Sequence, residues 1–348
     1  MKRTLSICFL LQALPNLASA QVPDPSTASA PKPDTSSVSS ILQENDRALV
    51  RRLEEYLEAN ATAEDRDEAH IAIFERAIAR DWFETTAPLA RTYLEKSPDG
   101  TAAPLARIVD VLALARSRQF PQALGRFREL MNRLEGAEQE PFALSFTEEL
   151  ALEAVAAGEP AIARGAYQTL LDRFRASDTV RDKAPAELAR LDLIGRPVPQ
   201  FEVRDLARET ITADTYKGKY VLIDVWATWC APCLAELPRL LSLEATYRDR
   251  GLVVIGLSLD ESVEGLRDFV AARAIPWRQV HQATSGGDLA GALRITNLPC
   301  SILIQPDGTI ARLDLRGEAL ERFLADTFAP KDSPEAKTRS AAPNEEEP

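Results

Sequence analysis

The chain has 348 residues, 45% of them hydrophobic, enough for a substantial core and about two domains of ordinary size. Asp and Glu total 53 against 41 Lys and Arg, a net charge of −12, which excludes the basic footprint of a nucleic-acid binder. The 2 histidines, His70 and His281, lie far apart with no second histidine at ligand spacing, so neither a metal nor a cofactor is expected and the 4 cysteines are left to carry chemistry.

Residues 1–20 read as a secretory signal peptide. Lys2 and Arg3 form a basic start, Leu5 to Leu14 an apolar stretch, and Ala18-Ser19-Ala20 a small-residue cleavage site. The apolar stretch is shorter than the roughly 20 residues a spanning helix needs. Cleavage removes Cys8 and leaves Cys230, Cys233 and Cys300. The expected mature chain is soluble and exported, periplasmic or otherwise extracytoplasmic, where disulfides persist. Residues 21–40, rich in Pro, Ser, Ala and Thr, read as a disordered leader, and residues 331–348, with Glu345-Glu346-Glu347, as a disordered tail.

Residues 41–192 predict an all-α domain. Leu49, Leu53, Tyr56 and Leu57 recur at helical spacing, as do Ile71, Phe74 and Ile78, among good helix formers. Gly158, Ala163, Tyr167 and Leu170 repeat the offsets of Arg118, Ala123, Phe127 and Leu130, and a fainter unit starts near Arg80-Asp81-Trp82. The pattern resembles degenerate tetratricopeptide helix pairs, although the period of about 40 exceeds that family's 34. A plain helical bundle explains the same residues. Neither version supplies a nucleophile, so this domain is read as scaffolding or as a site for a further protein.

Residues 193–330 predict an α/β domain. Tyr220–Trp226 and Leu252–Ser258 read as buried strands, each followed by a helix, Ala231–Tyr247 and Val263–Arg273. Pro276–Val280 is strand-like, and His281 is assigned to a loop without a role. Ser301–Ile304 and Ile310–Leu315 form a hairpin across Pro306-Asp307-Gly308, and a last helix covers about 317–328.

The chemistry concentrates at Trp229-Cys230-Ala231-Pro232-Cys233, between a strand and a helix. A Cys-x-x-Cys at a helix start sets the first sulfur over unpaired N–H groups and the positive dipole end, which favours thiolate. The second cysteine lies one turn in, placed to attack a mixed disulfide. Half a zinc site is the competing reading, but one further cysteine and no suitable histidine remain to complete it.

The stretch Asp224 to Pro238 resembles the active-site segment of the thioredoxin superfamily, and within it the exported TlpA/ResA-like thiol–disulfide oxidoreductases. Gly195-Arg-Pro-Val-Pro, Lys217-Gly218-Lys219 and Leu298-Pro299 belong to the same resemblance, which covers about 195–330. It implies a thioredoxin-like fold with Cys230 as attacking thiolate and Cys233 as resolving thiol. It implies a cis-proline at Pro299 facing the disulfide, with Leu298 and Trp229 lining the substrate groove. Trp226 would flank the sulfurs or serve as core. Asp224 stands where thioredoxins keep a buried proton-relay Asp, and many TlpA-like relatives have Asn there. Glu236 stands at the acid of the Cys-x-x-Cys-x-x-Glu-x-Pro pattern, on the helix face of Cys233. Pro238 is expected to kink that helix.

Cys300 follows Pro299 where relatives mostly carry Thr or Ser. It is a passive core residue or a candidate third redox thiol pairing with Cys230. The resemblance implies reduction of exported proteins with thiols or disulfides, such as apocytochrome c, with electrons from a membrane thiol donor. One alternative is a thiol peroxidase of peroxiredoxin type, but that chemistry wants Thr three residues before the cysteine, where Ala227 stands. The other is a helical-repeat binding protein with a thioredoxin-like docking module.

Overall fold

The computed structural model describes residues 37–329. The signal-peptide segment, residues 21–36 of the leader and the tail 331–348 lie outside them. The chain divides into two compact units between Leu188 and Ala189.

The first unit is helical: α1 (Val38–Ala59), α2 (Arg66–Arg80), α3 (Phe83–Lys96), α4 (Ala103–Arg116), α5 (Phe120–Arg133), α6 (Glu140–Ala157) and α7 (Pro160–Arg173), with α8 (Asp178–Leu191) running across the division. The helix begins inside the expected leader because Ser37 and Ser40 form a reciprocal capping box. The pairs α2/α3, α4/α5 and α6/α7 share one turn. Asp81, Arg118 and Gly158 each take left-handed backbone angles, with φ of 62°, 59° and 87°. The next amide closes back in each case: Trp82 N–H to the Ala77 carbonyl at 2.9 Å, Gln119 to Leu114 at 2.8 Å, and Glu159 to Ala154 at 2.8 Å. Behind each turn, Thr86, Ala123 and Ala163 are buried at one offset, and Ala90, Phe127 and Tyr167 at the next. The segment at Asp81 thus shares its turn geometry and buried offsets with those at Arg118 and Gly158. The small residues let the paired helices approach, and α4 is buried along nearly its whole length.

The second unit is a five-stranded sheet flanked by helices. Its elements are the small hairpin β1 (Glu202–Arg204) and β2 (Thr210–Thr212), then β3 (Tyr220–Trp226), α9 (Ala231–Tyr247), β4 (Leu252–Ser258), α10 (Val263–Ala272), β5 (Arg278–His281), α11 (Leu289–Ala292), β6 (Cys300–Ile304), β7 (Ile310–Leu313) and α12 (Gly317–Thr327). The sheet order is β5-β4-β3-β6-β7. Strands β3, β4 and β5 run parallel, β6 runs antiparallel to β3, and β7 antiparallel to β6. The central strands are nearly continuous apolar runs, as strands covered on both faces must be. Leu222 and Trp226 of β3 join Leu237, Leu240 and Leu243 of α9 and Leu320 and Leu324 of α12 in one core. Gly256 of β4 leaves room for Gln279: a Cβ there would lie 2.0 Å from Gln279 Oε1, the atom that accepts the Trp226 indole N–H at 3.0 Å. Trp226 is thus a core residue anchored by a buried hydrogen bond.

His281 is corrected from loop to strand. It ends β5 opposite Ser258 and is buried.

The shared turns give a stability prediction. Arg118 pays for a left-handed position that Gly158 adopts freely, so Arg118→Gly stabilises the helical unit by about 0.5–1 kcal/mol and Gly158→Ala destabilises it by about 1 kcal/mol. Urea unfolding followed by circular dichroism at fixed pH measures both.

Candidate active site

Parallel pairing of β3 and β4 brings their C-terminal ends to one edge of the sheet, the usual place for a site in such folds. At that edge β3 ends at Trp226, and Ala227-Thr228-Trp229 turns the chain into α9. Cys230 is the N-cap of α9, extended at φ −81° and ψ 92°, and its Sγ accepts the Cys233 amide N–H at 3.3 Å. The sulfur thus occupies the place of a capping oxygen, over the helix's orphan donors. Pro232 lies in the first turn, where its missing N–H has no partner to lose. Cys230 and Cys233 are joined in a disulfide with Cα atoms 5.3 Å apart, and both are buried. Helix α9 continues through Pro238 as one α-helix.

The Leu298–Pro299 peptide is cis. Leu298 packs against the core cluster that holds Trp226, Cys230 and Cys233. Trp229 is 67% exposed, an apolar ring in solvent beside the disulfide.

Beneath Cys233 is a cavity of about 20 Å3, lined among others by Cys233, Asp224, Glu236, Pro299, Ser301 and Arg316. That is room for one water molecule. Burial pushes the Asp224 carboxyl up to about 7; Arg316 pulls it down and Glu236 adds to the rise. Among the described residues no donor reaches the Asp224 carboxylate, which leaves desolvation to dominate. The structure thus gathers Asp224, Glu236, Cys233 and Pro299 on one cavity.

Cys300 is not brought to them. Asp224 pairs with Ser301 and Val225 with Cys300 in the β3–β6 ladder, so alternation turns Cys300 to the opposite face of the sheet. There Arg190 donates to its Sγ at 3.1 Å and holds Asp314 through two further bonds of 2.7 and 2.8 Å. Burial pushes the Cys300 thiol up to about 12, with Asp314 adding to the rise and Arg190 opposing it. A fully buried thiol with that proton affinity is a poor nucleophile. The geometry favours the passive role over a third redox thiol.

A polar cluster on the other side of the Cys230 loop was not read from the sequence. The Asp260 carboxylate accepts the Thr228 amide N–H at 3.0 Å, the Thr228 hydroxyl at 2.6 Å and the Ser258 hydroxyl at 2.8 Å. His281 Nε2 donates to the Asp260 carbonyl at 2.7 Å. The available signal was Ser258-Leu259-Asp260 at the end of an apolar strand that pairs parallel with β3.

Residues 194–313 match the AhpC/TSA family. The thiol-disulfide oxidoreductase ResA of Bacillus thuringiensis subsp. konkukian is 31% identical over 131 residues, which span 38% of this chain and 74% of that protein. This chain belongs to the ResA-like thiol–disulfide oxidoreductases. ResA of Bacillus cereus is 32% identical over 134 residues, covering 38% of this chain and 76% of that protein. The thioredoxin domain of a thiol-disulfide oxidoreductase from Bacteroides vulgatus is 28% identical, with a TM-score of 0.36 over 39% of this chain and 97% of that one. The ResA-like part is the second unit, a thioredoxin-like α/β fold, and the helical unit precedes it.

The raised carboxyl makes a prediction about pH. Between the ordinary aspartate value of 3.8 and about 7, Asp224 holds more proton folded than unfolded. Its contribution to stability therefore falls as pH rises through that window and is most unfavourable above it. Asp224→Asn removes this term, so the oxidised variant melts higher than wild type at pH 8 and the gain disappears by about pH 4. Thermal melts across that range check it; a constant difference would contradict the assignment.

Proposed function

We propose that the protein is an exported thiol–disulfide oxidoreductase that reduces partner disulfides through Cys230 and Cys233. The observation that carries this reading is the disulfide at the start of α9, with Cys230 as N-cap sulfur and Cys233 over a carboxylate-lined cavity.

In the reduced protein, the Cys230 thiolate attacks one sulfur of a partner disulfide. A Cys230–partner bond forms and the partner's other sulfur leaves as thiolate. Cys233 then loses its proton and attacks Cys230, closing the Cys230–Cys233 bond and releasing the second partner thiolate. The pair gives up two electrons and the partner gains two. Asp224, held at about 7, is suited to take the Cys233 proton at neutral pH, directly or through one water in the cavity. Glu236, on the same cavity, raises Asp224 and so sharpens its affinity for that proton. Trp229, Leu298 and Pro299 are proposed to line the groove that takes an extended partner segment.

The signal-peptide pattern supports export, and among the described residues no helix is long and apolar enough to cross a membrane. The partners proposed are exported proteins with thiols or disulfides, apocytochrome c among them, and a membrane thiol donor restores the dithiol. The helical unit is proposed as a second protein-binding module. The peroxidase alternative lacks its threonine: Ala227 holds that place, and the Thr228 hydroxyl is committed to Asp260.

With a soluble disulfide substrate and a chemical reductant, Cys230→Ser reduces turnover to background, while Cys233→Ser accumulates a mixed disulfide visible by mass spectrometry. The pair's potential falls nearer thioredoxin, about −270 mV, than the strong oxidant at about −120 mV. Full turnover by the Cys230→Ser variant would overturn the reading, and a strongly oxidising potential would reverse the direction of electron flow.

A further inference from the structure

We propose that Asp260 is a positioning residue for Cys230, acting through Thr228; the inference rests on the disulfide exchange argued above. Three residues, Ala227, Thr228 and Trp229, separate the end of β3 from the N-cap sulfur, and they lie outside both strand and helix. Their conformation decides where Cys230 sits over the α9 amides. Cys230 N–H closes on the Ala227 carbonyl at 3.1 Å, which makes the loop a tight turn. Its centre, Thr228, is held from outside: both its amide and its hydroxyl donate to the Asp260 carboxylate.

Asp260 is itself fixed on every side. Its second oxygen takes the Ser258 hydroxyl, its own N–H reaches Ser258 Oγ at 3.1 Å, and its carbonyl takes His281 Nε2–H. The adjoining Leu259 N–H bonds the Trp226 carbonyl at 3.0 Å, tying the turn after β4 to the end of β3. Asp260 has no capping duty to explain its burial, because Ser262 caps α10. A buried carboxylate whose donors converge on the residue two before the nucleophile fits a role in aiming that nucleophile.

Charge and geometry make opposite demands, and this separates the proposal from mere stability. Asp260 and Glu261 line the Thr228–Trp229 side, with His281 behind, and Asp224, Glu236, Arg239 and Arg316 line the cavity side. Removing the Asp260 charge alone makes the Cys230 thiolate easier to form. Freeing the loop lets the sulfur leave the α9 amides and makes it harder.

The test measures Cys230 alkylation against pH in the reduced protein, alongside kcat/KM for disulfide reduction. Asp260→Asn keeps an acceptor for Thr228, so the thiol titrates at the wild-type value or lower. Asp260→Ala raises it by about one unit, and alkylation at neutral pH falls several-fold. Thr228→Val raises it by less, and Thr228→Ser restores it. Wild-type titration and kcat/KM in both Asp260→Ala and Thr228→Val, whatever their melting temperatures, would overturn the proposal. If Asp260→Ala does not fold, the Thr228→Val and Thr228→Ser pair decides. Alkylation needs no partner, so it reports on Asp260 even if wild type proves inactive on disulfides, which would count against the exchange reading alone.

Discussion

The start of α9 is where backbone electrostatics become chemistry. A helix leaves its first amides without partners, and here the side chain that answers them is a cysteine. A sulfur in that place is drawn toward the charged form by the same dipoles that would otherwise be met by a serine or aspartate. The requirement is geometric: the strand before the helix must stop at one place and the connecting turn must be stiff. The sheet meets the first need by holding β3 between β4 and β6, and the Ser258–Asp260 turn meets the second from the neighbouring strand.

The two cysteines sit in different surroundings although only one helical turn separates them. Cys230 faces the turn, the exposed Trp229 and the helix amides. Cys233 faces a narrow space with two carboxyl groups and two arginines. The first environment suits a sulfur that must be thiolate before a partner arrives. The second suits a sulfur that should keep its proton until its turn, then surrender it locally. Asp224 can serve because desolvation outweighs Arg316; with a hydrogen-bond donor on the carboxylate, the group would titrate lower and hold no proton at neutral pH.

Much of this was legible in the sequence. The bounds of β3, α9 and β4 follow from apolar runs punctuated by Cys-x-x-Cys, proline and glycine, signals that act within a few residues. The resemblance located Asp224 and Glu236, and i,i+3 spacing set Glu236 on the helix face of Cys233. What escaped depends on pairing between distant segments. The hairpin β1–β2 has strands of three residues, and its turn is organised by Asp205, which accepts two local amides and an ion pair from Arg278 at 2.6 Å. Asp260 acquires meaning only once β3 and β4 are in register. His281 reads as a loop residue until β5 adds to the sheet and sets it opposite Ser258. In the helical unit the third turn, at Asp81, was faint because an aspartate and an arginine stand where the motif wants glycine.

The place of Cys300 on the far face of the sheet has a consequence for how the chain oxidises. The three cysteines among the described residues allow three pairings, and a random chain chooses among them by loop length. Cys230 and Cys233 close a ring with two residues between them, whereas any bond to Cys300 must gather more than sixty. Chain statistics already favour the short ring. Once β6 has added to the sheet, Cys300 is buried on the face away from Cys230 and Cys233, which takes it out of the competition. The folded protein is then a store of one electron pair, with a spare thiol that neither leaks charge into it nor scrambles it.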